Sequence, residues 1–342
     1  MRILACTQYY YYDDPRGVEP QFYYLYRVPQ AMGHDVDFFD WRTLCHISIE
    51  QMRKQFLTMV RSGGYDVVFV ATSMEEFDEP TLREARQHCP IIAFNSDDED
   101  RWDTYSSHRV TWYSYMVTNS PDVYAAHRVT HTNLLHAQWA CCGFWDGRQA
   151  VKDIDLSFVG QIYGTRATQI EELQRTARLR PFGKGLTPSV REIAPEASGL
   201  KLAIGQAMTG ALHKRLPDLF RSSTINFEQV NALWNRSRVS FTPLESSRGG
   251  KVFQIKSRVF DMGLSGTLMI APRAAPIEQY FEPGKEYVQY DDLADCAEKA
   301  KYYCANEHER HKIAMAYAKR TETEHMWRHR IENVLRGAGL MS

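Results

Sequence analysis

The stretch FQIKSRVFDMGLSGTLMIAPRAAPIEQYFEPGKEYVQYDD, residues 253–292, decides how this chain is read. It opens as a helix carrying one acid, Asp261, and leaves through Gly263 and Gly266. An apolar strand follows, then a turn-rich approach to a second strand. Immediately upstream stands SSRGGK, residues 246–251, with Gly249 and Gly250 preceded by Arg248. Two glycines there let backbone amides at a helix start approach a phosphate closely. An anion site of this kind, with an acid further along the helix, suits a nucleoside diphosphate and its ribose.

Outward from this segment the same alternation recurs. Apolar runs at 2–6, 35–39, 66–71, 90–94, 113–118 and 134–139 read as buried strands. Helical patterns lie between them at 20–33, 48–62, 79–88 and 121–128. The rhythm predicts an open parallel sheet with helices on both faces. It restarts after Lys152 with a strand at 155–159, the loop GQIYGTR, and a helix placing Ile170, Leu173 and Ala177 on one face. A strand at 179–182, a helix with Val230, Leu233 and Trp234, and a strand at 239–242 continue it. Leu293, Cys296, Ala300 and Tyr303 mark a further helical stripe. Residues 186–223 show no clear period. We therefore expect an α/β protein of two Rossmann-like domains facing each other across a cleft. Their spans are 1–150 and 151–322, with a last helix within 323–342 crossing back to the first domain. Such domains bind ligands at the carboxyl ends of their strands.

Composition narrows the function classes. Forty-one Lys and Arg balance 42 Asp and Glu, leaving a net charge of −1. No global field then favours nucleic acid or an acidic membrane. Seven cysteines, Cys141 and Cys142 adjacent, show no framework spacing and no CxxC pair. That is the usage of reduced thiols, and we expect a cytoplasmic protein. MRILAC is too brief for a signal h-region, and no run approaches the ~20 apolar residues of a bilayer span. After the first strand comes CTQYYYYDDPRG, with no GxGxxG to hold a pyrophosphate, which argues against a nicotinamide oxidoreductase.

Several spaced elements agree in order with a known family. SRVFDMGLSGTLMIAP, then EQYFEPGKEYVQYDD, then EHMWRHRIENVL, resembles the C-terminal half of glycosyltransferases of the spore-maturation-protein type, relatives of the group 1 glycosyltransferases. The resemblance extends upstream through DLSFVGQIYGTR and covers about 155–335, with a weaker match over 1–150 through AFNSDDED. It implies a GT-B architecture, a nucleotide-sugar donor held mainly by the second domain, and no obligatory metal. Asp261 stands where the family has a ribose-binding glutamate. Arg166 follows the first glycine loop, and Lys256 and Arg258 occupy basic helix positions that neutralise the leaving diphosphate. Phe253 stands where many group 1 enzymes carry a second glutamate near the donor sugar.

Each feature also has a plainer reading. Gly160 and Gly164 suit a simple strand-to-helix turn, and Gly249 and Gly250 a surface loop. Asp261 suits an ion pair with Arg258 one turn away. Lys256 and Arg258 point to different sides of a helix, so one of them reaches a phosphate. Asp97 and Asp98, in SDDED, are candidates for the base that takes the acceptor hydroxyl proton. The same spelling also suits a metal chelator or a solvated acidic loop. His127, His131, His136, Cys141 and Cys142 lack a recognised zinc spacing. The aromatic run after the first strand puts Tyr12, Gly17 and Glu19 where an acceptor loop is expected, with tyrosines suited to stacking.

The expectation is a glycosyltransferase moving a sugar from a nucleoside-diphosphate donor, a UDP-sugar by default, to an acceptor hydroxyl. It requires no further cofactor and no metal. The acceptor classes are a glycan, a small molecule or a modified nucleic-acid base. The alternatives are a non-catalytic nucleotide-sugar binder, to which Phe253 lends weight, and a nucleotide-sugar epimerase, which needs no acceptor.

Overall fold

The computed structural model describes residues 1–11, 14–71, 76–162, 164–183, 225–245 and 253–342. The chain divides into two compact units. Unit 1 comprises Met1–Asp146, Lys256–Leu264 and Ala318–Ser342; unit 2 comprises Gly147–Ile255 and Ser265–Tyr317.

Unit 1 contains β1 (Arg2–Thr7), the short antiparallel ribbon of β2 (Tyr10–Tyr11) and β3 (Asp14–Val18), β4 (Asp35–Asp40), β5 (Val67–Val70), β6 (Ile91–Phe94), β7 (Tyr115–Thr118) and β8 (Leu134–His136). Its main sheet has the order β4-β1-β5-β6-β7-β8, and every neighbouring pair is parallel. The four residues of β5 are all buried, as a central strand covered on both faces requires. The Ile49–Gly63 helix begins where Ser48 Oγ accepts from the Gln51 amide and ends at Gly64, φ 62°. Met52, Phe56 and Val60 lie four apart on its buried face and join Leu4, Cys6, Val68 and Ile91 in one core.

The helical pattern at 20–33 is realised with an interruption. Pro20–Phe22 is α-helical, Tyr23–Arg27 widens into a π turn, and Val28–Ala31 resumes the α geometry. Pro29 has no N–H to continue the ladder, and the Val28 amide reaches back to the Tyr23 carbonyl. Tyr23, Tyr24 and Leu25 are buried by this turn.

Unit 2 contains β9 (Ile154–Val159), β10 (Arg180–Phe182), β11 (Ser237–Phe241), β12 (Leu268–Pro272) and β13 (Val288–Tyr290). They form a parallel sheet of order β10-β9-β11-β12-β13. The Phe227–Arg236 helix starts with a capping box, Asn226 accepting from the Gln229 amide while the Gln229 side chain accepts from the Asn226 amide. Ile170 and Leu173 of the Arg166–Ala177 helix, and Cys296, Ala297 and Ala300 of the Leu293–Ala305 helix, pack on Phe158, Phe241 and Ile270. In both sheets the first strand lies inside the order, with its second strand on one side and its third on the other. That point, β1 beside β5 in unit 1 and β9 beside β11 in unit 2, is where open α/β sheets bind ligands.

Candidate active site

At the switch point of unit 2, β9 ends in Val159 and the chain enters a glycine turn. Gly160 takes φ 152° and donates its amide to the Phe182 carbonyl at 2.9 Å. Gly183 crosses it so closely that a Cβ there would stand 2.1 Å from the Gly160 oxygen. Gly164, φ 55°, opens the Arg166–Ala177 helix with no atom within 4 Å of where a Cβ would be. The crossing therefore leaves no room for a side chain at Gly183, and the turn's backbone lies at the carboxyl end of β9.

Arg166 serves as the fastener of this turn. It is 1% exposed; Nη1 donates to the Gln161 carbonyl and Nη2 to the Glu245 carbonyl, both at 3.2 Å. One planar fork thus ties the loop after β9 to the loop after β11. Gln169, one turn along the helix, donates from Nε2 to Glu245 Oε1 at 2.8 Å. Glu245 also pairs in an antiparallel bridge with Phe253. Arg248, Gly249 and Gly250 lie outside the described residues.

The remaining donor candidates belong to unit 1. Lys256 Nζ sits 3.8 Å from Asp97 Oδ1, its side chain 18% exposed against 51% for Asp97. Arg258 is half-buried at the start of the Arg258–Asp261 helix. Asp261 is 5% exposed, and Tyr24 Oη lies 2.9 Å from each of its carboxylate oxygens. Burial pushes this carboxyl up to about 8, against the opposing hydrogen bonds of Tyr24 and Ser257. Cys141 Sγ donates to the Asp261 carbonyl at 3.6 Å. The expected donor set is thus divided. Gly160, Gly164 and Arg166 gather at the switch point of unit 2, while Lys256, Arg258 and Asp261 lie in unit 1.

Asp97 and Asp98 are adjacent in sequence and opposite in environment. Asp97 adopts a left-handed conformation, φ 59°. Asp98 is fully buried and accepts from Ser106 Oγ at 2.5 Å. Burial raises its carboxyl above the usual range, with Ser106 and Thr118 pulling the other way. Among the described residues, no group of three His, Cys, Asp or Glu side chains is placed to hold a metal ion. His127 instead stacks on Trp102, ring centroids 4.5 Å apart.

On the acceptor side, Tyr12 lies outside the described residues. Gly17 is buried in β3. Glu19 follows the ribbon at the carboxyl end of β1, 6% exposed, with Gln8 Nε2 donating to its Oε2 at 3.0 Å. Burial raises its carboxyl to about 8, opposed by the hydrogen bonds from Gln8 and the Gln21 backbone. Nearby, Thr7 Oγ1 donates to Gln21 Oε1 at 3.3 Å. Sequence reasoning passed over Glu245 and Gln169, which the spacing of GQIYGTR does not reveal.

Comparison with known proteins agrees with this fold. Residues 200–336, less than half the chain, match the family model described as glycosyl transferase-like. No curated protein matches the sequence. Among solved structures, a glycosyltransferase from Rickettsia africae ESF-5 is similar with a TM-score of 0.57 at 10% identity, covering 98% of both chains. Anabaena HepE, in complex with UDP-glucose, gives 0.56 at 11% identity over 99% of both chains. An alpha-glucosyltransferase in complex with UDP gives 0.61 at 9% identity, over 99% of this chain and 100% of that one. At such identities the likeness is one of fold. The chain has the α/β architecture of GT-B glycosyltransferases and carries a glycosyl transferase-like region. Among the described residues, no helix is long and apolar enough to cross a membrane.

Proposed function

We propose that this chain is a glycosyltransferase, moving a sugar from a nucleoside-diphosphate donor, a UDP-sugar by default, to an acceptor hydroxyl. The observation that carries the reading is the Gly160–Gly164 turn at the unit 2 switch point, locked by the Arg166 fork. Backbone N–H groups at a tight glycine turn before a helix suit the donor diphosphate, whose charge grows as the glycosidic bond breaks. Arg248, Gly249 and Gly250 complete the phosphate contacts in this reading. Arg166 and Asp261 act by positioning, since both are engaged by buried partners. The reaction needs no metal, proceeds in the cytoplasm, and belongs to the spore-maturation-protein type of glycosyltransferase. The solved neighbours in complex with UDP or UDP-glucose support the donor class. The acceptor side is unit 1, with Glu19 beside β1. Acceptors of the glycan, small-molecule and modified-base classes all offer the required hydroxyl.

A thermal-shift series with UDP, GDP, ADP, CMP and dTDP, with and without Mn²⁺, tests this. One diphosphate that stabilises without metal is the expected result. Stabilisation only with Mn²⁺ overturns the metal-independent part, and no stabilisation by any nucleotide overturns the donor reading.

A second reading, a nucleotide-sugar binder without turnover, is favoured by one observation. Phe253 stands where the resembling family has a glutamate, and it is engaged in a bridge with Glu245. Donor binding without sugar release to water or any acceptor distinguishes it.

A further inference from the structure

Unit 1 holds an enclosed recess at the carboxyl ends of successive strands. Asn95 follows β6 and Asn119 follows β7, and both line it together with Tyr24, Phe94, Trp139 and Trp327. The cavity is about 20 Å³, room for one water-sized group. Its aromatic walls are rigid: Tyr24 stacks on Trp327 with centroids 4.7 Å apart and planes at 19°, and Trp139 meets Trp327 edge-on at 6.4 Å. Asn95 is held from behind, since its Nδ2 donates to Ser106 Oγ at 3.0 Å and Ser106 in turn donates to the buried Asp98.

Among the described residues, two polar atoms of the residues lining it have no hydrogen-bond partner. Asn119 Oδ1 and Trp327 Nε1 are both buried, in residues that are each 4% exposed. Leaving a buried donor or acceptor unmade is unfavourable, so such atoms mark a place where something else binds. One is an acceptor and the other a donor, and one group of the right chemistry answers both. A hydroxyl donates to Asn119 Oδ1 and accepts from Trp327 Nε1. A carbonyl or carboxylate accepts only, an ammonium donates only, and a methyl does neither.

We propose that this recess takes a single inserted hydroxyl group of a saccharide or polyol acceptor, the size its volume admits. This rests on the glycosyl-transfer reading and names the acceptor class for it. Asp98 then acts through Ser106 as a positioning residue for the Asn95 amide.

Water offers the same donor and acceptor, and the test separates the two. The seven tryptophans give seven indole N–H resonances, and Trp327→Phe assigns the one at issue. The intact protein is titrated, without nucleotide, with free monosaccharides and glycerol, and with acetone as an accept-only control. A saturable shift of the Trp327 resonance with at least one hydroxyl probe, absent with acetone, is the expected result. Asn119→Ala then weakens that probe about tenfold, the size of one neutral hydrogen bond. The wild-type titration stands even where the variant fails to fold. A Trp327 resonance that no saccharide or polyol moves means the recess holds water alone, and the proposal falls. UDP binding is measured on the same sample. UDP binding beside an unmoved Trp327 removes the recess and leaves the donor reading. A moved Trp327 without nucleotide binding removes the donor reading and leaves a saccharide site.

Discussion

Asp261 shows how burial reassigns an acid. An aspartate on a helix is ordinarily solvated, yet here Tyr24 Oη lies 2.9 Å from both oxygens and the residue is 5% exposed. Its carboxyl is raised to about 8 in the folded protein, whereas in an unfolded chain it sits at about 3.9. Between those values the folded state binds more protons than the unfolded one, so this contribution to stability is lost as pH rises toward 8. Glu19, also raised to about 8, acts in the same direction. Asp261→Asn keeps an acceptor for Tyr24 and removes the titration. The variant's denaturant midpoint should match the wild type only below about pH 4 and exceed it increasingly as pH rises toward about 8. Parallel midpoint curves would sink the assignment. Arg166→Lys makes a different point. An ammonium cannot reproduce a planar fork on the Gln161 and Glu245 carbonyls. The expected loss is about 1–3 kcal/mol of stability together with a several-fold weaker UDP response. Unchanged UDP stabilisation in that variant separates the fork from the donor site.

Among the elements, the turn that follows β9 is built against Gly183, the residue next after β10. The Gly183 backbone, φ 134°, passes over the Gly160 carbonyl with no room for a methyl. Gly164, φ 55°, has a similarly unusual backbone and open space around it. Gly183→Ala should therefore cost more than about 2 kcal/mol and abolish nucleotide binding, since both strain and overlap apply. Gly164→Ala, with strain alone, should cost about 1–2 kcal/mol. Equal midpoint losses in chemical denaturation would show that the crossing is not what demands glycine. The π turn at Tyr23–Arg27 has a comparable reach. It breaks a regular helix and buries three consecutive residues, and one of them is the partner of Asp261.

Across the chain as a whole, the order of the segments matters as much as the elements they form. Unit 1 is completed by Lys256–Leu264 and Ala318–Ser342, pieces that come after all or most of unit 2 in sequence. The Trp327–Gly337 helix contributes Trp327, Ile331, Val334 and Leu335, all buried. Burying each such side chain is worth about 1.5–3 kcal/mol, and their sum rivals the net stability of a domain. A chain ending at Tyr317 should lose cooperative folding of unit 1 and keep that of unit 2. Indole resonances report this directly: Trp41 and Trp102 collapse to unfolded positions while Trp234 holds its folded one. Dispersed resonances for Trp41 and Trp102 in the shortened chain would contradict it.

How much of this was legible in the amino acids follows from the range of each interaction. Strand runs, helical stripes and the glycine turn after β9 are decided within a few residues, so pattern alone places them. The parallel sheets follow, because short apolar strands separated by helices have few other ways to bury both faces. The site chemistry was legible only as residue types. Tyr24 and Asp261 are 237 positions apart, and nothing local to either announces the other. Arg166 reads as a phosphate cation because a sequence shows charge and not burial; the fold surrounds it with carbonyls. Asp97 and Asp98 differ by one position and by a whole environment, half-exposed in one case and fully buried in the other. Local pattern was therefore enough for the α/β architecture and the glycine turn. Which acids are buried, which cations are engaged, and that Asn119 and Trp327 line one recess depended on tertiary packing, because burial and partnership are properties of distant segments brought together.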